Sequence, residues 1–207
     1  MTVGVIPTIG PYLMPKILPE LRKRYPQFEL TLLEEQSHVL LEWVKTGVID
    51  TAILALPYQL EGLMAFEFWE EDFYWIVDRT EAEAYGDEVD SDSLDHSRLM
   101  LLKEGHCLKD HALAACRLAD NAANKTFQST SLYTLIQMVA SGLGTTLIPD
   151  MARRQLLKSN TKLRALRLTE PGPHRRIAFI VRPNYTGVHN IEALMSLFKR
   201  RLNQSVL

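Results

Sequence analysis

Apolar residues recur along the chain at two spacings, one typical of strands and one typical of helices. Short apolar runs at residues 3–6 and 50–56 predict strands, and the second is apolar enough to suit a buried parallel sheet. Apolar residues at three- and four-residue intervals predict helices over 10–25 and 37–47. A further strand is expected at 28–33. The first part of the chain therefore follows the order strand, helix, strand, helix, strand.

A second series of the same kind runs from about residue 98 to residue 148. Its predicted elements are a strand at 98–102, a helix at 108–116, a strand at 126–128, a helix at 131–141 and a strand at 145–148. Apolar side chains of the helix at 131–141 recur at i, i+3, i+4 and i+7, which gives it one buried face. The repeated alternation predicts an α/β fold of two doubly wound units with parallel sheets.

The stretches between and after these series suggest how the two units are connected. Residues 66–77 are rich in aromatic side chains but carry acids at 70–72, so we interpret them as leaving one packing environment and entering another. Residues 79–95 hold seven acids against one arginine, which favours a solvated surface excursion. A late strand at 175–181 and a helix at 190–202 follow. The chain is therefore expected to cross between the units twice.

Composition and charge limit the classes of protein. The 207 residues are 46% hydrophobic and 23% charged, as in an ordinary globular protein. A formal net charge of −2 without a long basic run argues against nucleic-acid binding by this chain itself. No apolar run approaches the roughly 20 residues that span a bilayer, and no secretory signal is visible. With only two cysteines, we expect a protein of the cytoplasm that has no membrane partner.

Both cysteines lie in one segment, residues 105–116, with the sequence GHCLKDHALAAC. Nine helical steps rise about 13 Å along the helix axis. A disulfide requires Cα atoms roughly 4.4–6.8 Å apart. If the segment is helical, Cys107 and Cys116 cannot be bonded, and a bond between them requires that the helix at least partly unravel. The segment is therefore a candidate two-state element.

Three interpretations of the two cysteines are open. Buried cysteines are commonly inert and behave as small hydrophobic residues. Zinc sites usually space their ligands two to four residues apart, so the eight residues between the cysteines disfavour a metal held by His106, His111 and the thiols. We expect no metal and no cofactor. The third interpretation is a reactive pair.

The reactive interpretation depends on the position of Cys107. This residue precedes the predicted helix and follows His106, and both a helix N-terminus and a neighbouring imidazole lower the pKa of a thiol. Lys109 adds positive charge nearby, whereas Glu104 and Asp110 oppose it. Cys107 is therefore the candidate reactive thiol.

Taken together, these stretches resemble the regulatory domain of LysR-type transcription regulators. The segments that carry the resemblance are GVIPTIGPYLMPKILPEL, GVIDTAILAL, TSLYTLIQMVASGLGTTLIP and RRIAFIVRP. The segment GHCLKD and the gap to the second cysteine are similar to the hydrogen-peroxide sensors of that family. The resemblance implies two Rossmann-like subdomains of periplasmic-binding-protein type joined by two crossover strands. Subdomain I would comprise 1–72 plus 176–207, and subdomain II would be 73–175 with the cysteines.

The resemblance also implies a role for individual residues. Cys107 would be the peroxidatic thiol and Cys116 the resolving thiol. The residues that would bind or activate peroxide are Thr8, Ser37 and His106. The residues that would support the thiol are Lys109, Asp110 and Arg175. Ser37 stands where those sensors carry threonine, and Lys109 stands where they carry arginine, so a bidentate contact made there is not expected.

Local sequence offers plainer roles for three of these residues. Thr8 would cap the helix that follows the first strand, and Ser37 would be the N-cap of the next helix. Arg175 would lie on the surface.

The function implied by the resemblance is redox sensing without catalytic turnover, so the chain is not expected to be an enzyme. Peroxide would oxidise Cys107 to a sulfenic acid, and a Cys107–Cys116 disulfide would then remodel the domain and its oligomer. The implied partners are a second copy of this domain, in a dimer, and three further copies in a full-length tetramer. Contact with DNA and RNA polymerase would require the full-length protein, whose winged helix-turn-helix we expect to precede this chain.

Two alternatives belong to other classes of protein. The chain could be a LysR-type effector domain or solute-binding module that holds a small metabolite, with incidental cysteines. It could also be a thiol peroxidase, although it has no C-x-x-C recycling motif.

Overall fold

The structure, a computed structural model, describes residues 1–118 and 129–205. In chain order the elements are β1 (Thr2–Val5), α1 (Gly10–Arg24), β2 (Thr31–Glu34), α2 (Ser37–Thr46), β3 (Thr51–Leu56), β4 (Met64–Glu71), β5 (Phe73–Asp78), α3 (Arg79–Ala82), β6 (Glu88–Val89), two 3₁₀ turns (Ser91–Ser93 and His96–Arg98), β7 (Leu99–Met100), α4 (Cys107–Ala115), α5 (Leu132–Ala140), β8 (Thr145–Pro149), α6 (Asp150–Leu157), β9 (Leu163–Leu168), β10 (Arg175–Val181) and α7 (Val188–Ser205). The strand predicted at 126–128 lies outside the described residues.

The chain divides into two compact units, and it passes between them twice. Unit 1 comprises Met1–Glu70 and Arg176–Leu207, and unit 2 comprises Glu71–Arg175. The first division falls two residues before the one expected from sequence. At this point β4 ends at Glu71 in one sheet and β5 begins at Phe73 in the other. The acidic interruption of the aromatic stretch therefore marks the change of packing environment that it predicts.

Unit 1 is built on a five-stranded sheet with the order β2-β1-β3-β10-β4. Strand β3 has a paired neighbour on each side, and all six of its residues are buried, so both faces of the sheet are covered there. Strand β1 runs parallel to β2 and β3, but β10 runs antiparallel to β3. The expectation of a purely parallel sheet was wrong, since the late returning strand enters in the opposite direction.

Helix α1 is continuous, although it contains prolines inside it. Pro11 lies in the first turn, where a missing N–H costs nothing. Pro15 and Pro19 lie inside the helix and would leave the carbonyl groups of residues 11 and 15 without their helical partner. Residues 11, 15 and 19 are all exposed and lie on one face of the helix. The carbonyl groups concerned therefore lie on the solvent face, where water can bind them.

Unit 2 has a second five-stranded sheet with the order β6-β9-β5-β8-β7. Central strand β5 runs antiparallel to both β8 and β9, while β6 and β7 pair parallel to the outer sides of those strands. This sheet too is mixed.

Helix α6 and strand β9 were not predicted. The interpretation of residues 79–95 as a solvated excursion was wrong in part, because the segment contributes strand β6 and the buried residues Ala82, Val89, Ser91 and Leu94.

None of the described helices is long and apolar enough to cross a lipid bilayer.

Candidate functional site

Helix α4 carries one cysteine at each end. His106 is its N-cap residue, Cys107 is its first residue and Cys116 is its C-cap residue, so the predicted helix is confirmed with a shift of one residue at each end. Both cysteines are reduced thiols, and both are buried, with 3% and 1% of their surface exposed. Nine helical steps separate their Cα atoms by about 13 Å along the axis. A disulfide between them is therefore incompatible with this helix.

The C-terminal end of α4 has an unusual backbone. The N–H of Leu118 donates to the carbonyl oxygen of Leu113 at 2.8 Å, and the N–H of Arg117 donates to that of Ala114 at 3.1 Å. Arg117 has φ of 53°, in the left-handed region that favours glycine at this position of a helix end. A side chain with a Cβ atom is strained in this conformation. The end of the helix that carries Cys116 is thus held in a conformation that its sequence does not favour.

Cys116 lies in surroundings that disfavour a thiolate. Burial raises the pKa of Cys116 to about 12, and the Glu170 and Asp92 carboxylates act in the same direction, while a hydrogen bond from Ser91 opposes them. A hydroxyl has one hydrogen, and in the present arrangement Ser91 donates it to the Cys116 carbonyl oxygen at 3.4 Å. Because this pKa lies far above 7, Cys116 is a protonated thiol at neutral pH in this fold.

Cys107 begins the helix beside a histidine that is neutral. Burial lowers the pKa of His106 below 6.5, so its imidazole carries no charge at pH 7. The expectation that the neighbouring imidazole lowers the pKa of Cys107 has to be corrected, because only a charged ring does so and desolvation disfavours that charge. The position of Cys107 at the helix N-terminus remains as the feature that favours a thiolate.

The two charged residues predicted in the first turn of α4 differ in burial. Lys109 Nζ lies 3.6 Å from Glu104 Oε1, and its side chain is only 15% exposed. Asp110 is exposed, and its carboxylate lies in the first turn, where negative charge is favourable. The structure therefore shows Lys109 partly buried in unit 2 with an acidic neighbour and Asp110 on the surface.

Arg175 is among the most deeply buried side chains, so its interpretation as a surface residue was wrong. Its Nε donates to Glu71 Oε1 at 2.9 Å, and its Nη2 lies 2.8 Å from the same oxygen. The other oxygen of Glu71 accepts a hydrogen bond from the N–H of Met151 at 2.8 Å. The side chains of Arg175 and Glu71 are 0% and 2% exposed. This buried ion pair satisfies charges that could not stay in the interior alone.

Several residues of this region carry no signal in the local sequence. His174 Nδ1 accepts a hydrogen bond from the N–H of Phe73 at 2.9 Å, so this nitrogen is unprotonated in the structure. Glu71, Ser91 and Glu170 were likewise missed. Each acquires its partner from a distant part of the chain, and no short motif marks such a pairing.

Thr8 and Ser37 belong to unit 1, whereas the cysteine segment belongs to unit 2. Helix α1 has Ile9 as its N-cap residue and no side-chain cap, so the capping role of Thr8 is wrong. Helix α2 begins at Ser37 with Gln36 as N-cap, so Ser37 is not the cap either. Its hydroxyl is buried and has no hydrogen-bond partner among the described residues. Such a group costs free energy unless something binds it.

A metal site finds no support in the part of the chain that the structure describes, since no group of three or more potential ligands lies together there.

Known proteins share both the sequence and the fold of this chain. The family model of the LysR substrate binding domain matches residues 1–203. The reduced form of the regulatory domain of OxyR2 from Vibrio vulnificus is 34% identical, with a TM-score of 0.87, and the match covers 97% of this chain and 94% of that one. The chain belongs to the LysR substrate binding domain family, as an OxyR-type regulatory domain. The predicted α/β class with two subdomains of periplasmic-binding-protein type is thereby confirmed.

Curated relatives of this family member are longer than the chain. The HTH-type transcriptional regulator EstR of Acinetobacter baylyi is 36% identical over 199 residues, which are 96% of this chain and 65% of that protein. The hydrogen peroxide-inducible genes activator of Haemophilus influenzae is 36% identical over 183 residues, 87% of this chain and 60% of that protein. The chain thus spans less than two thirds of the length of these relatives.

The raised pKa of Cys116 predicts how the stability of this regulatory domain depends on pH. The folded-state pKa of about 12 lies above the ordinary value of 9.0, so above pH 9 the unfolded chain loses this proton first. The associated stability is complete below about pH 9 and is lost as the pH rises toward 12. Between pH 7 and pH 10, the free energy of unfolding of the reduced protein should fall by about 1–2 kcal/mol more than that of Cys116→Ser.

Urea denaturation in the presence of a reductant measures both proteins under the same conditions. The serine variant serves as the control, because every other titrating group is common to the two. Parallel pH profiles would contradict the assignment of a raised pKa to this thiol.

Proposed function

We propose that this chain is the redox-sensing regulatory domain of a transcription regulator that responds to hydrogen peroxide. The observation that carries the proposal is the placement of the two thiols at opposite ends of α4, the first at its N-terminus and the second buried and protonated. Similarity to a hydrogen peroxide-inducible genes activator supports the choice of oxidant. Switching of this kind is stoichiometric, so the domain acts as a sensor and performs no turnover.

The proposed chemistry has two balanced steps. In the first, the Cys107 thiolate attacks one peroxide oxygen, the O–O bond breaks, and the sulfur becomes a sulfenic acid while the other oxygen leaves as water after taking up a proton. In the second, the Cys116 sulfur attacks the sulfenic sulfur, the S–O bond breaks and the S–S bond forms. The thiol proton of Cys116 leaves with the hydroxyl group as a second molecule of water.

The two thiols are suited to different steps. Cys107 begins a helix, where the macrodipole favours a thiolate, and so it is the attacking group. Cys116 is held protonated by burial and by nearby carboxylates, and so it is a poor nucleophile until α4 opens. Opening would return its pKa to the ordinary range and bring the sulfurs within bonding distance. This order of events assigns Cys107 as peroxidatic and Cys116 as resolving.

The other assigned roles belong to the same proposal. The neutral imidazole of His106 would accept or donate a hydrogen bond at the reacting oxygen. The buried hydroxyl of Ser37 is available to a bound molecule. Thr8 is also buried, and both stay predicted peroxide-binding residues. Lys109, Asp110 and Arg175 stay predicted supports of the reactive thiol.

The proposal extends to the longer protein of which this chain would be a part. That protein would act in the cytoplasm as a dimer through this domain and as a tetramer at full length. It would contact DNA and RNA polymerase through regions other than the present chain.

Sulfenic-acid trapping tests the assignment of the two thiols. In Cys116→Ser treated with one equivalent of hydrogen peroxide and a dimedone-type probe, intact mass should show nearly complete labelling at Cys107. Cys107→Ser under the same conditions should show almost none, because the remaining thiol is held protonated and lies at the C-terminal end of the helix. Equal labelling of the two variants would remove the assignment of roles.

A second candidate function is the binding of a small metabolite, which the match to the LysR substrate binding domain model favours. Alkylation after the same peroxide treatment discriminates between the two candidates. A sensor loses both alkylatable thiols together, whereas a metabolite-binding domain with incidental cysteines keeps both.

A further inference from the structure

Ser91 connects the C-terminal end of α4 to two other parts of unit 2. It is 2% exposed, and its N–H donates to Glu170 Oε1 at 2.8 Å. Its carbonyl oxygen lies 2.6 Å from His96 Nε2, which must carry the hydrogen because a carbonyl only accepts. Its hydroxyl donates to the carbonyl oxygen of Cys116 at 3.4 Å. We call Ser91, His96 and Glu170 the Ser91 cluster.

The hydrogen bond from Ser91 to Cys116 gives a partner to a carbonyl group at the end of the helix. The last carbonyl groups of an α-helix have no partner within the helix, and they are usually bound by water or by a cap. Here the Cys116 carbonyl is buried with its residue and accepts from a side chain that is fixed at both of its backbone groups. The end of α4 is therefore attached to a preorganised donor.

The Ser91 cluster also places the carboxylate of Glu170 near the Cys116 thiol. Glu170 Oε2 is buried and has no hydrogen-bond partner among the described residues. Its negative charge acts on the Cys116 thiol and favours the neutral form. The hydrogen bond therefore stabilises the closed, reduced arrangement, in which Cys116 lies at the end of an intact helix. The charge of Glu170 keeps Cys116 in its protonated, less nucleophilic form within that arrangement.

The backbone of the next residue acts in the opposite direction. Arg117 has φ of 53°, a conformation that is unfavourable for any residue with a Cβ atom. Unravelling of the helix end would release this strain, whereas the contacts of the Ser91 cluster would have to break. The contacts of the Ser91 cluster thus stabilise the closed arrangement, and the backbone strain at Arg117 destabilises it. Each of these two effects can be changed by one substitution.

We propose that the Ser91 cluster positions Cys116 and that its release sets the rate at which a Cys107 sulfenic acid becomes the Cys107–Cys116 disulfide. This inference rests on the proposed function, since it concerns the second of the two chemical steps. In that step the S–O bond of Cys107 breaks, the S–S bond forms and water leaves. Ser91 and Glu170 touch neither peroxide nor the sulfenic sulfur, so they are positioning residues.

Two substitutions should change the rate of disulfide closure in opposite directions. Ser91→Ala removes the hydroxyl that holds the Cys116 carbonyl, and closure should become roughly two- to tenfold faster, the range expected for one net hydrogen bond. Arg117→Gly relieves the strain of the closed state, and closure should become about two- to fivefold slower. Sulfenic-acid formation at Cys107 should stay unchanged within about twofold in both variants.

Each substitution has a matched control in the same turn. Ser93→Ala removes a hydroxyl from the 3₁₀ turn that also contains Ser91, but the Ser93 hydroxyl donates to the carbonyl oxygen of Asp90 and not to that of Cys116. Arg117→Ala removes the charge while keeping the Cβ atom and hence the strain. Both controls should close at the rate of the unmodified chain. Ser91→Thr keeps the hydroxyl and should restore slow closure, which a purely structural effect of the substitution would not do.

The experiment is a single-turnover reaction of the reduced 207-residue chain with one equivalent of hydrogen peroxide, quenched at intervals with a sulfenic-acid probe and an alkylating agent. Intact mass then gives the amounts of thiol, sulfenic acid and disulfide at each time. Faster closure in Ser91→Ala and slower closure in Arg117→Gly, with unchanged controls, support the proposal.

Two results would overturn it, and they differ from each other. If sulfenic acid and disulfide form but both variants close at the original rate, the role of the Ser91 cluster is wrong while the proposed function stands. If no sulfenic acid forms at Cys107 in the unmodified chain, the proposed function fails and the inference fails with it.

Discussion

Replacement of Arg175 by methionine should lower the free energy of unfolding of the reduced protein by about 3–5 kcal/mol. The methionine keeps much of the side-chain volume but leaves the Glu71 carboxylate buried without its cation. The carboxylate cannot move to water without also losing the hydrogen bond that it accepts from the N–H of Met151 at 2.8 Å. Urea denaturation of the variant against the unmodified chain measures the loss.

The neighbouring residue provides the control for this prediction. Arg176 Nη1 lies 3.0 Å from Glu67 Oε1, but these side chains are 43% and 40% exposed. Exposed pairs contribute roughly 0–1 kcal/mol, so Arg176→Met should be nearly neutral. Adding Glu71→Gln to Arg175→Met should recover part of the loss, because the amide keeps an acceptor for Met151 and carries no charge. A cost for Arg175→Met no larger than that for Arg176→Met would contradict the buried pair.

The contrast between Arg175 and Arg176 shows which information a single sequence lacks. The two residues are adjacent in the chain and identical in chemistry, yet one is buried and the other is on the surface. Within β10 every residue except Arg176 is buried, so strand alternation does not separate the two arginines. Their difference arises from tertiary surroundings, above all from Glu71, which lies 104 residues away and pairs with Arg175. Ser91 and Glu170 are 79 residues apart and were missed for the same reason.

Local patterns were sufficient where the structure depends on neighbouring residues. The spacing of the cysteines and the apolar residues between them predicts α4, and the uniform apolar run at 50–56 predicts the buried strand β3. Strand direction is a tertiary property, so the antiparallel pairing of β3 with β10 could not be predicted. Strand β9 was missed because its sequence LRALRL includes two arginines, although it pairs with the central strand of its sheet.

Charge states at the site were predicted only in part. The position of Cys107 at a helix N-terminus follows from sequence, since it depends on the residues that begin the helix. The neutral state of His106 depends on its burial, and the high pKa of Cys116 depends on burial and on the distant Glu170 carboxylate. Neither is encoded in the segment 105–116. The local sequence therefore selects Cys107 as the proposed reactive thiol, and the tertiary structure supplies the reason why Cys116 stays protonated in this fold.

Oxidation should abolish the protection of the α4 amides against hydrogen exchange. A disulfide needs Cα atoms roughly 4.4–6.8 Å apart, whereas the intact helix holds those of Cys107 and Cys116 about 13 Å apart along its axis. The bonds that must break include Cys116 N–H to the Ala112 carbonyl and Leu118 N–H to the Leu113 carbonyl. Exchange of these amides should accelerate on the order of 100-fold or more, as expected when a protected segment opens.

The comparison requires samples whose redox state is established by intact mass. Cys116→Ser exposed to the same peroxide is the matched control, because its first thiol can be oxidised but no internal disulfide can form. Amides of β5, at the centre of the second sheet, should keep their protection in every sample, since that strand has paired neighbours on both sides. Unchanged protection of α4 in protein that carries the Cys107–Cys116 bond would exclude the unravelling mechanism, because the bond would then have formed without opening of the helix.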